Sequence, residues 1–125
     1  YVLRHNPDLL IIGGISQRGD IEAIRSVIHQ CRAKLPELEV LLLSPTFGGP
    51  PGPKGPSADY LAYQAALPKL AAEEKCGYFD MTTPWKAYVD NSGYALDSFK
   101  RDVVHANDRG KQILGRLMRA FFAPR

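Results

Sequence analysis

Residues 8–14 read Asp-Leu-Leu-Ile-Ile-Gly-Gly, four apolar residues in a row closed by two glycines. A short continuous apolar run of this kind predicts a strand buried on both faces. The period then changes. Ile21, Ile24, Ile28, Cys31 and Leu35 recur at helical spacing, with Asp20 as N-cap, Glu22 in the first turn and Pro36 at the exit. Val40-Leu41-Leu42-Leu43 is a second continuous apolar run, ended by Ser44-Pro45. Strand, helix and strand in that order, with a connection of this length, predict parallel pairing through a right-handed crossover.

The alternation continues downstream. Residues 46–57 are rich in glycine and proline and contain three Gly-x-y triplets from Gly49. Collagen needs many more triplets and two partner chains, so the segment reads as a surface loop, placed where it could wall a cleft. A helix is expected from about Asp59 to Lys75, with Tyr60, Tyr63, Leu67 and Leu70 on its apolar side and Pro68 kinking or splitting it. Gly77 is expected to end that helix, and Tyr78-Phe79-Asp80-Met81 to form a third strand. Thr83-Pro84-Trp85 opens a short helix, and Asn91-Ser92-Gly93 is a turn. A last helix starts near Asn107 or Asp108 and turns Ile113, Leu114, Leu117, Met118 and Phe121 inward. The order β-α-β-α-β-α implies an α/β fold, a three-layer α/β/α arrangement with helices on both faces of a parallel sheet. Three strands are few for such a sheet. Residues 1–6 read as the tail of a helix, so an N-terminal βαβ portion is expected to precede the chain.

Bulk properties narrow the function classes. The chain has 125 residues, 45% hydrophobic and 23% charged, as expected of a single domain over 1–125 or the C-terminal part of one. Sixteen basic residues are scattered among thirteen acidic ones, giving a net charge of +3 without a basic run. A nucleic-acid partner is therefore not expected. No apolar stretch has the length of a membrane span, and no signal peptide opens the chain. Of the two cysteines, Cys31 reads as a buried thiol and Cys76 lies before Gly77; a disulfide between them stays open at this point. No Cys/His zinc spacing, Gly-x-Gly-x-x-Gly or P-loop lysine is present, so neither a metal nor a nucleotide cofactor is expected. His5 and His29 read as solvated, Asp80 as a residue that pins a loop, and Trp85, Tyr88, Tyr94 and Phe99 as core rather than pocket lining.

The segment that carries chemistry is Arg101-Asp102-Val103-Val104-His105-Ala106-Asn107-Asp108-Arg109-Gly110, directly before the final amphipathic helix. A carboxylate three residues before a histidine, in a loop turning into a helix, can reach that imidazole. Asp102 would accept the Nδ1 proton, fix the tautomer and stabilise the imidazolium. Nε2 of His105 would then be free to take a proton from a serine hydroxyl. Ser44 and Ser16 are the in-chain alternatives for that serine. Ser44 precedes a proline without a Gly-x-Ser-x-Gly elbow, and Ser16 stands in a turn as an oxyanion or cap residue.

Asp102-Val-Val-His105-Ala-Asn-Asp-Arg-Gly110 resembles the last block of the SGNH (GDSL-like) hydrolase superfamily, an Asp-x-x-His followed by Asn/Pro-rich residues, a glycine and the C-terminal helix. Pro7 to Gly14 is similar to the strand entering that superfamily's third block, and Gly77-Tyr78-Phe79-Asp80 to its short strand ending in aspartate. The resemblance covers essentially the whole chain, from the third block onward. It implies a flavodoxin-like α/β/α fold and an ester hydrolase working through an acyl-enzyme, with the nucleophilic serine upstream of Tyr1 or on a companion chain. It also implies small acyl esters, possibly on carbohydrate, as substrates, and leans towards a secreted or periplasmic setting. The third block normally reads Gly-x-Asn-Asp; here it reads Gly14-Ile15-Ser16-Gln17, so Gly14 and Ser16, or Gln17 in a slipped register, stand where oxyanion donors belong. Two further readings share the scaffold: an O-acyltransferase, and a non-catalytic module binding a glycan or a protein.

Overall fold

The structure, a computed structural model, describes residues 2–13, 21–46, 58–102 and 105–124. They form two compact units, Tyr1–Ser44 with Ala58–Phe79, and Pro45–Ser57 with Asp80–Arg125.

The first unit is a three-stranded parallel sheet with two helices. Strand β1 is Leu9–Ile12, helix α1 Ile21–Lys34, strand β2 Glu39–Leu43, helix α2 Ala58–Glu73 and strand β3 Gly77–Phe79. The strand order is β1-β2-β3, with Leu10 opposite Val40, Ile12 opposite Leu42 and Leu42 opposite Tyr78. A sheet that grows in one direction through crossovers of one hand carries both connecting helices on one face. The core bears this out: Ile28 and Cys31 of α1 pack with Val40 and Leu42 of β2 and with Leu70 and Ala71 of α2. Fully burying a side chain such as Leu42 contributes about 1.5–3 kcal/mol.

Three local expectations change. Strand β1 is not buried on both faces. Leu10 and Ile12 pack towards the helices, whereas Leu9 and Ile11, on the opposite face, are 40% and 43% exposed. Continuous apolar sequence reports what a strand could bury on either side, and only the central strand β2 uses both faces among the described residues. Of the kink or split expected at Pro68, the split does not occur: α2 is one helix through it. Proline removes one intrahelical donor, but Leu67 and Leu70 beside it are each 1% exposed, and their packing holds the helix together.

Helix α2 also ends earlier than Gly77. Lys75 takes the left-handed conformation at φ 52°, with Cys76 N donating to Ala71 O (2.8 Å) and Lys75 N to Ala72 O (3.3 Å). This pair of bonds is a Schellman motif with a non-glycine residue at its left-handed position. Gly77 instead begins β3. At the other end of the sheet, a Cβ on Gly13 would lie 2.6 Å from Leu43 Cβ, so only glycine fits where β1 exits.

Ion pairs tie α1 to the end of α2. Arg25 bonds both Glu73 (2.7 Å) and Glu74, and His29 Nε2 lies 2.8 Å from Glu74 Oε2. The hydrogen bonds from His29 and then Arg25 hold the Glu74 carboxyl below its ordinary value. Cys31 and Cys76 are free thiols, and burial pushes the Cys76 thiol up, away from thiolate.

The second unit contains helix α3 (Thr82–Asn91), a 3-10 turn at Leu96–Phe99 and helix α4 (Asp108–Phe122). Asp80 pins the start of α3: Oδ1 accepts from Thr82 N (3.1 Å) and Thr83 N (3.2 Å), and Oδ2 from Thr83 Oγ1 (2.6 Å). Trp85, Phe99 and Ile113 form its buried core, with Val89, Leu114 and Leu117 against them. Phe121 is 42% exposed rather than turned inward, because α4 outruns the core that covers Ile113 and Leu117.

Candidate active site

The loop between the 3-10 turn and α4 carries Asp102 and His105, and its two ends are closed by backbone pairing. Lys100 and Ala106 form an antiparallel bridge, Arg101 N donates to His105 O (2.9 Å), and Asn107 N donates to Phe99 O (3.0 Å). Beneath the loop, Phe99 is fully buried and meets Trp85, Tyr88 and Tyr94 edge to face, at centroid distances of 5.9, 5.9 and 6.4 Å. Arg109 lies over the Tyr94 ring at 4.1 Å. Trp85 and Phe99 are thus core, while Tyr88 and Tyr94 remain exposed around them.

Helix α4 starts where the loop ends. Asn107 is its N-cap, with Oδ1 accepting from Gly110 N at 3.0 Å. A Cβ on Gly110 would lie 2.3 Å from Phe99 O, so the helix reaches the buried turn only because residue 110 has no side chain.

The closed loop brings the two predicted residues together. His105 Nδ1 lies 2.9 Å from each Asp102 carboxylate oxygen, and His105 N donates to Asp102 Oδ1 at 2.8 Å. An ionised carboxylate only accepts, so the proton belongs on Nδ1. Among the described residues none bonds to Nε2, and the His105 side chain is 62% exposed. Arg101 Nε stands 3.3 Å from Asp102 Oδ2, a neighbour that sequence reading passed over. Chemically, the arrangement is an imidazole whose Nδ1 is engaged by a carboxylate and whose second nitrogen bonds to none of the described residues. The oxyanion candidates Gly14, Ser16 and Gln17 lie outside the described residues, as do residues 47–57 of the expected cleft wall. Ser44 is 2% exposed at the end of β2, which makes it a poor nucleophile for an incoming ester. Among the described residues no group of three His, Cys, Asp or Glu could hold a metal ion, and no helix is long and apolar enough to cross a membrane.

The model of the GDSL-like lipase/acylhydrolase family matches residues 2–113, nearly the whole chain. The chain belongs to this family. Its structure is similar to that of a protein from Parabacteroides merdae described as a GDSL-like lipase, at a TM-score of 0.76 and 18% identity, over 94% of this chain and 61% of that one. It is also similar to the acetyl xylan esterase AlAXEase, at a TM-score of 0.74 and 23% identity, over 98% of this chain and 70% of that one. These likenesses establish the three-layer α/β/α fold of the GDSL-like hydrolases. The chain spans less than two thirds of the first of these proteins. No curated protein matches it.

Proposed function

We propose that this chain supplies the base and its orienting carboxylate to a serine ester hydrolase. The observation that carries the reading is His105 Nδ1 at 2.9 Å from both oxygens of Asp102, with no described residue bonded to Nε2 and the side chain 62% exposed. Family membership and the fold support ester hydrolysis; the pair supplies the chemistry. A serine from outside residues 1–125, on a preceding segment or a companion chain, attacks the ester carbonyl as its proton passes to His105 Nε2. The imidazolium, stabilised by Asp102, returns that proton to the leaving alcohol, and water then releases the acyl group by the same route. Gly14 with Ser16 or Gln17 serves as the oxyanion contact. The substrate class is a small acyl ester, with acetyl groups on carbohydrate favoured by the likeness to an acetyl xylan esterase.

The test is His105→Ala in the full-length protein, assayed on p-nitrophenyl acetate and on acetylated xylan. Turnover should fall by about 1,000-fold or more while the thermal midpoint stays near wild type. Retained turnover sinks the reading, and binding of acetylated xylan without turnover in either protein favours the non-catalytic module. Purified residues 1–125 should hydrolyse neither ester. Activity from them alone would place the nucleophile inside the chain.

A further inference from the structure

An exposed ion pair has little strength of its own, since water and salt screen it and two side chains must be held still. Asp102 and His105 are 43% and 62% exposed, so contacts between the two side chains cannot by themselves fix their geometry. The loop must do so, and the backbone ties at Phe99, Lys100 and Arg101 are bonds that almost any sequence could make. One side chain adds to them. Asn107 Nδ2 donates to Ser98 O at 2.9 Å and to Lys100 O at 3.3 Å, while its Oδ1 accepts from Gly110 N at 3.0 Å. Its amide orientation follows from these partners, because the flipped form would set oxygen against two carbonyls and nitrogen against an N–H.

A residue needed only to cap α4 would use its oxygen, and serine, threonine or aspartate would serve as well. The two donors have a different direction. They reach back to the chain entering the loop, at Ser98 and Lys100, where the Lys100 side chain is 4% exposed and therefore anchored. We infer that Asn107 is a positioning residue for the proposed reaction: its amide clamps the entry of the 100–107 loop to the first turn of α4 and so fixes His105 against Asp102. This inference rests on the proposed role of His105 as base.

Asn107→Asp separates the two duties of the side chain. The variant keeps an oxygen for Gly110 N and adds negative charge at the N-terminus of α4, which favours the helix. It cannot donate to Ser98 O or Lys100 O. In the full-length protein, kcat on p-nitrophenyl acetate should fall about 10- to 100-fold with KM nearly unchanged, as small misplacements of catalytic groups do. The 15N shifts of the His105 imidazole should show the fraction of neutral ring protonated at Nδ1 falling about twofold, because that fraction reports the bond to Asp102. Asn107→Ser, whose short hydroxyl can cap α4 but lacks the amide's two donors for Ser98 O and Lys100 O, should behave alike. An unchanged tautomer fraction overturns the inference in either variant, whether or not kcat falls, and so does a changed fraction with wild-type kcat. Should full-length wild type hydrolyse no ester, the functional proposal fails, and the tautomer measurement alone then decides for or against the clamp.

Discussion

Two histidines in this molecule meet a carboxylate at nearly the same distance, and the difference between them is what suits one of the pairs to the proposed chemistry. His29 reaches Glu74 at 2.8 Å and His105 reaches Asp102 at 2.9 Å. The first pair joins residues 45 positions apart, spends Nε2 on the contact and shares its carboxylate with Arg25. It binds one helix to the end of another. The second pair is local, three residues apart, and uses Nδ1, with no described residue bonded to Nε2. Distance alone would rank them equally, and each carboxylate also meets an arginine; the imidazole nitrogen engaged separates them.

The comparison breaks most readily at Asp102. Asp102→Asn in the full-length protein should preserve the fold but lower kcat on the order of 1,000- to 10,000-fold, because an amide can stabilise the wrong tautomer. A loss no larger than that from Glu74→Gln would erase the distinction between the pairs. Next in size is Gly110→Ala. A methyl group 2.3 Å from Phe99 O must displace the buried turn or the start of α4, so chemical denaturation should show a loss of about 1–3 kcal/mol. Activity should fall with it if the loop depends on that seat.

The smallest effect belongs to the structural pair. Glu74 titrates below its ordinary value in the fold, so the stability it contributes is present above that ordinary value of 4.5 and is lost as pH falls through the lowered one. Glu74→Gln should flatten the acid limb of the thermal-midpoint profile below about pH 4.5 and lower the midpoint slightly at neutral pH. Turnover should stay at wild type; a fall comparable to that of Asp102→Asn would give the first pair a part in the chemistry.

The sequence showed most of the second pair and little of the first, for a physical reason. Asp102 and His105 are close in the chain, and a three-residue gap before a capped helix limits where they can go. His29 and Glu74 meet only because α1 and α2 pack side by side, which no local pattern records. The strands at 9–12 and 40–43 were legible because continuous apolar runs have few other uses. Which face of β1 is covered was not, since Leu9 and Ile11 look identical to Leu10 and Ile12 in sequence. Asn107 was visible as a helix start, but its donors find carbonyls at Ser98 and Lys100 whose positions depend on the buried Phe99. The end of α2 was misplaced for the opposite reason: Gly77 offered a strong local signal, whereas the chain makes its left-handed turn two residues earlier to bring Cys76 onto the core.

That turn leaves room for thermostabilisation away from the chemistry. A lysine at φ 52° carries a steric penalty of roughly 1–2 kcal/mol that glycine does not, set against glycine's greater freedom when unfolded. Lys75→Gly should therefore yield a net gain of up to about 1 kcal/mol while leaving the Asp102–His105 loop as it is. Position 75 is thus a place where the working temperature of the protein can be raised before any residue of the proposed site is touched.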